Sequence, residues 1–174
     1  MTIAPHHKIL VLLVISTFLL PAWGQGQDVP ERIDIDERYK WDLSDMYRDT
    51  QAWEIDSERF ADALPTLERF RGQLSTDGST LLAAIEAMQS VETIIANLYV
   101  FAGLRSYEDT RVSENAARFS EAQSLYARYQ ETLSFFTPEL LAIPENTLSQ
   151  FLASTPGLAV YTHYLEEIAR MRPY

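Results

Sequence analysis

The chain contains no cysteine. That excludes a disulfide framework, a thiolate nucleophile, a cysteine-based zinc site and a bacterial lipoprotein anchor. Histidine is nearly as scarce, with three residues, His6, His7 and His163. No His-Glu-x-x-His occurs. The nearest run, His163-Tyr164-Leu165-Glu166-Glu167, offers one histidine where a zinc helix needs two on one face. Among the six glycines there is no phosphate loop, dinucleotide fingerprint or Gly-x-Ser-x-Gly elbow. Positive charge is short, 14 Lys and Arg against 25 Asp and Glu, for a net charge of −11. Nucleic-acid binding through a basic face is thereby disfavoured, since counterion release needs clustered cations. No window alternates apolar and polar residues for long, so no sheet is expected. What is present, in 174 residues, is 47% hydrophobic and 11% aromatic material. That composition fits one acidic, helix-rich globular domain with an appendage.

The appendage is the N-terminus. Ile9 to Leu20 is an uncharged apolar run of twelve residues. A membrane span needs about 20, whereas the core of a secretory signal needs about 7–15. Lys8 precedes the run and Pro21 ends it. Ala22-Trp23-Gly24 then sets small residues at the places a signal peptidase reads, predicting cleavage before Gln25. Residues 1–24 thus read as a signal peptide, and the chain as exported to the periplasm or medium, touching a membrane only during export. Lys8 is the one charged residue removed, so the rest is more acidic than the whole. Residues 25–38 read as a flexible acidic leader. Within it, Asp34-Ile35-Asp36 resembles part of a calcium loop but lacks the glycine and the distal glutamate.

Residues 39–174 read as one all-α domain, an antiparallel bundle of about three long helices and two or three short ones. Tyr39, Trp41, Leu43 and Tyr47 are expected to pack on later helices. Asp49 or Thr50 caps a first helix whose Trp53, Phe60, Leu64, Leu67 and Phe70 recur at helical spacing. Pro65 predicts a kink or break near 61–64, and Gly72 and the Asp77-Gly78 pair mark the end of the run. Ser79 or Thr80 should cap a second helix, apolar over so wide an arc (Leu81, Ile85, Met88, Val91, Ile95, Leu98, Phe101) that it must lie between neighbours. Ser113 should cap a third, where Phe119, Ala122, Tyr126, Tyr129, Leu133 and Phe136 form a seam suited to an antiparallel partner. Thr137-Pro138-Glu139 and Pro144-Glu145 start short helices. Leu158, Tyr161, Leu165 and Ile168 form the last.

Chemistry-bearing clusters are few. Arg105, Glu108, Asp109 and Arg111 meet at one turn and read as local ion pairs and caps before they read as a substrate clamp. The aromatic seam reads as core before it reads as a groove. The candidate interface or channel-wall residues are Tyr99, Arg105, Tyr107, Tyr126, Tyr129 and His163. No catalytic or metal-ligating residue is assigned.

Several segments together resemble the N-terminal part of the oligoendopeptidase F family, within the thimet-oligopeptidase-like zinc metallopeptidases. They are the run from Tyr39 to Tyr47 (YKWDLSDMY), Ala52-Trp53-Glu54, Phe70 to Leu74 (FRGQL), Leu98 to Thr110 (LYVFAGLRSYEDT), Phe135 to Leu140 (FFTPEL) and Tyr164 to Pro173 (YLEEIARMRP). The resemblance implies an all-helical domain walling one side of a channel that admits short peptides. It implies a partner, a C-terminal catalytic domain, whose His-Glu-x-x-His helix and further glutamate hold zinc in the full-length enzyme. None of those metal or catalytic residues has a counterpart here, so no cofactor is expected in this chain and no activity from it alone. Two readings compete with this one. One is a stand-alone exported helical module binding a peptide or protein through the aromatic seam. The other is an acidic cation-binding domain.

Overall fold

A computed structural model describes residues 30–171 of the chain. The signal-peptide reading of 1–24 and the first residues of the leader lie outside the described residues, as do residues 172–174. Six α-helices and five 3-10 turns, with no strand, make up the described residues. Three helices are long, α1 (Thr50–Ala63), α2 (Gly78–Glu108) and α3 (Ser113–Thr132). Three are short, α4 (Phe136–Ala142), α5 (Glu145–Ser154) and α6 (Thr162–Arg170).

Helix α1 begins as its sequence requires. The Asp49 carboxylate accepts the Ala52 N–H at 2.8 Å. It ends at Ala63, where Pro65 enters, and the chain tightens into a 3-10 turn over Leu64–Phe70. Gly72 follows with φ +75°, a left-handed conformation that glycine adopts without a Cβ penalty. Its N–H donates to Glu139 Oε1 at 2.7 Å, tying this turn to α4.

Helix α2 organises the rest. Its cap is Asp77, which accepts the Thr80 N–H at 2.7 Å and the Ser79 hydroxyl at 2.5 Å. The expected caps Ser79 and Thr80 therefore lie inside the helix, and the sequence Asp77-Gly78 opens α2 where the spacing read it as an ending. At its far end Ser113 starts α3 without capping it, since no side chain closes that terminus. By length and composition α2 could cross a membrane, with 31 residues and a mean hydropathy of 1.3 over its most apolar window. Here that composition serves burial between other helices. Val91, Ile95, Leu98, Phe101 and Ala102 join Trp53 and Phe60 of α1 and Ala122, Leu125 and Tyr129 of α3 in one core. Leu81, Ala84 and Ile85 join Phe136 and Leu140 of α4, Leu148 of α5 and Leu165 and Ile168 of α6 in a second. The buried Trp53 indole N–H donates to the Leu98 carbonyl at 3.0 Å, which satisfies its one polar atom inside the first core.

Two expectations about aromatic packing change. Tyr47 is buried, edge-on to Phe101 with centroids 5.2 Å apart, but Tyr39 and Trp41 are 70% and 56% exposed. On α3 the buried stripe is Ala122, Leu125 and Tyr129, so Leu125 takes the inward place and Tyr126 of the expected seam is 42% exposed at its rim.

Close approach at the start of α2 gives the first prediction. A Cβ on Gly78 would overlap the Thr155 side chain and press on the Phe151 backbone at 3.3 Å. Gly78→Ala, stabilising in an open helix, should here destabilise by about 1–3 kcal/mol. A lowered urea midpoint at unchanged slope is the expected outcome.

Candidate functional site

Sequence spacing places aromatic residues on adjoining faces of α2 and α3, and the antiparallel packing brings them into one chain of rings. Tyr99 on α2 meets Phe119 at 5.3 Å and Tyr126 at 5.6 Å. Tyr107 meets Phe119 from the other side at 5.8 Å, and Tyr126 meets Tyr129 at 6.3 Å. Four of the six expected site residues, Tyr99, Tyr107, Tyr126 and Tyr129, thus form one aromatic seam bridged by Phe119. The bridge depends on Gly103, because a Cβ there would stand 3.3 Å from the Phe119 ring. The seam is core on one side and surface on the other. Tyr129 is 5% exposed, Tyr126 42% and Tyr107 65%.

Arg105 and His163 stand apart from it. Arg105 donates to Glu108 Oε2 at 2.9 Å and borders a cleft of about 430 Å³ with Trp41, Arg48, Asp49 and Phe101. Arg32 of the leader donates to the other oxygen of Glu108 at 2.6 Å. Glu31 pairs with Arg111, which also holds Asp109 at 2.7 Å. The turn cluster is therefore an ion-pair network, as read, with two leader residues added. Hydrogen bonds from Arg111 hold the Asp109 carboxyl down at about 2.

His163 is exposed, 3.5 Å from Glu167. It borders a second cleft of about 430 Å³ between α2 and α6, with Ile85, Met88, Gln89, Glu92, Val160, Tyr161 and Tyr164. Of these only His163 is a site residue expected from the sequence. The usable signal was a pair of spacings of three, Gln89 with Glu92 and Tyr161 with Tyr164, which put polar groups on helices otherwise read as apolar. The Tyr161 hydroxyl donates to Gln89 Oε1 at 2.8 Å. Burial pushes the Tyr129 phenol up from its ordinary value, and the Glu92 carboxylate and neighbouring Tyr164 push it further. Burial and Glu92 raise Tyr164 likewise. The seam and the second cleft thus meet at Tyr129, Tyr164 and Glu92.

No group of three or more His, Cys, Asp or Glu among the described residues could hold a metal ion. Zinc therefore does not fit these residues. The arrangement can bind and shape a ligand through rings, guanidiniums and carboxylates.

An all-helical domain presenting an aromatic wall beside acidic clefts is the class defined so far, and known proteins narrow it. A family model described as "Oligopeptidase F" matches residues 139–174. The chain is 31% identical over 143 residues to the Group B oligopeptidase PepB of Streptococcus agalactiae, covering 82% of this chain and 24% of that protein. It is 27% identical over 150 residues to the oligopeptidase PepF of Bacillus subtilis, covering 86% and 22%. A solved structure of a Chlamydophila abortus protein assigned as a peptidase superposes with a TM-score of 0.73 at 30% identity, over 82% of this chain and 24% of that one. The oligoendopeptidase-F of Enterococcus faecium gives 0.66 at 29% identity, over 70% and 24%. The chain belongs to the oligoendopeptidase F family and corresponds to its N-terminal region. It spans about a quarter of the length of the curated relatives it matches.

The raised phenols give a second prediction. Unfolded phenols ionise near 10.0, while Tyr129 and Tyr164 stay protonated above it when folded. Between those two values the unfolded chain has released protons that the folded one retains, so stability is full below 10.0 and falls as pH rises past it. Urea midpoints should be flat from about pH 8 to about pH 9.5 and decline above that. Tyr129→Phe should make the decline shallower.

Proposed function

We propose that this chain is the N-terminal, substrate-channel-forming region of an exported zinc oligoendopeptidase that hydrolyses short peptides. The observation that carries the reading is the match of about four-fifths of the chain, in sequence and in fold, to about one quarter of relatives described as an oligopeptidase and a peptidase. The part of such relatives that lies beyond this quarter is where a His-Glu-x-x-His helix, its zinc and the activated water would reside. The residues described here would wall the channel and position the peptide. Exposed Tyr107, Trp41 and Ile35 near the end of α2 support the reading, because they leave apolar surface for a docking partner. Export is supported by the apolar run Ile9 to Leu20 and the small residues before Gln25.

A second reading, a stand-alone exported module that binds a peptide through its aromatic seam, is favoured by the completeness of both cores. Phe60, Leu81, Ile85, Leu98 and Leu158 are fully shielded without any partner. One reconstitution experiment separates the two. The chain alone should cleave no peptide, whereas the chain co-expressed with the remaining three-quarters of a relative such as PepF should cleave a neutral fluorogenic peptide in a zinc-dependent way. Hydrolysis by neither preparation, together with tight peptide binding by the chain alone, would favour the stand-alone module. In a secreting bacterial host, N-terminal sequencing of the exported product should begin at Gln25. A product retaining Met1 would remove the cleavage proposal.

A further inference from the structure

The cleft between α2 and α6 carries a carboxylate that nothing else in the fold uses. Elsewhere, carboxylates close to an arginine are paired with it: Glu31 with Arg111, Asp56 with Arg59, Glu68 with Arg71, Glu108 with Arg32 and Arg105. Glu92 is exposed on α2, and among the described residues no cation or hydrogen-bond donor is bonded to it. In a chain with an excess of acids an unpaired glutamate is ordinary. What sets Glu92 apart is its surroundings. It shares a cleft of about 430 Å³ with Tyr161, Tyr164, His163 and Gln89 and with the apolar Ile85, Met88 and Val160. The buried Tyr129 ring lies near enough for its phenol to feel the same carboxylate. The Tyr161 hydroxyl is committed to Gln89, which fixes that ring at the rim. His163 is turned to Glu167, a second carboxylate beside the opening.

We propose that Glu92, with the rings of Tyr161 and Tyr164, forms a receptor for a cationic side chain, a guanidinium or an ammonium, borne by a peptide. The choice of a peptide as carrier rests on the channel-wall reading above, while the choice of a cation rests on the cleft alone. A carboxylate flanked by aromatic faces attracts a positive head group by charge and by ring quadrupole together. The aliphatic stem of arginine or lysine can lie along Met88 and Val160. A planar guanidinium fits the ring faces better than an ammonium does. An anionic group would meet Glu92 and Glu167 and be repelled.

The test uses the whole chain, uniformly nitrogen-15 labelled, titrated with acetyl-Leu-Arg-Leu-amide and with the same peptide carrying neutral citrulline in place of arginine. The arginine peptide should bind about fivefold more tightly, the sum of a weakly screened ion pair and an exposed cation–ring contact. Its amide shift changes should centre on residues 85–92 and 160–168. Glu92→Gln should abolish the preference, and Glu131→Gln, an exposed acid on α3, should keep it. Equal binding of the two peptides, a preference that survives Glu92→Gln, or binding of neither peptide would overturn the proposal. Reconstituted hydrolysis, measured with a neutral peptide, does not depend on this preference, so failure here and failure of the peptidase reading are told apart.

Discussion

The structure depends on covering the apolar side chains that α2 carries along its whole length. A helix of 31 residues is about 46 Å long at its standard rise. Its first half is buried in one core and its second half in the other. Each large side chain fully shielded from water contributes about 1.5–3 kcal/mol, against a net stability of about 5–15 kcal/mol for a whole domain. Uncovering two or three of Leu81, Ile85, Ile95 and Leu98 would therefore remove about 3–9 kcal/mol, a large share of that stability. That constraint dictates the other elements. Helices α1 and α3 cover the second half, α4 to α6 cover the first, and Ala87 and Leu133 border both cores, making them continuous along the rod.

Where α2 ends, burial gives way to charge. The Glu108 side chain is 5% exposed and receives both Arg32 and Arg105. A carboxylate so placed is costly unless its oxygens are bonded, and removing one partner of such a group costs more than the pair itself contributes. The leader residue Arg32 thereby becomes part of the bundle's end, although the acidic, turn-rich sequence of residues 25–38 gives no periodic hint of it. Beside it, Glu31 and Arg111 repeat the arrangement in the open, where solvent weakens it.

What could be read in advance followed the range of the interaction. Helix count, the break at Pro65, the Asp49 cap and the enclosed character of α2 are local or periodic properties, and each appeared in the spacing. The misses share another cause. Asp77-Gly78 serves equally as an end or a beginning, and only the approach of Thr155 and Phe151 to Gly78 decides between them. Tyr126 lies at the rim of the seam because Leu125 takes the inward place between Ala122 and Tyr129, a choice that three-four spacing leaves equally open. The tie of Arg32 to Glu108 spans 76 positions, a separation at which sequence pattern carries no signal. The seam residues Tyr99, Tyr126 and Tyr129 were legible because they obey helical spacing. The Glu92 cleft was less so, since its two sides, joined by Gln89 and Tyr161, lie 72 positions apart.

The ionisation behaviour of the tyrosine face says what kind of work it suits. A residue that moves protons near neutrality needs a pKa brought close to that range. Burial and the Glu92 carboxylate move Tyr129 and Tyr164 the other way, so both stay neutral and protonated throughout the physiological range. A neutral phenol donates a hydrogen bond and offers an aromatic face, and neither property changes with small shifts in pH. The same carboxylate that raises the phenols is itself free to meet a positive charge. The face is thereby suited to hold a ligand by hydrogen bonds and ring contacts, not to move protons near neutrality.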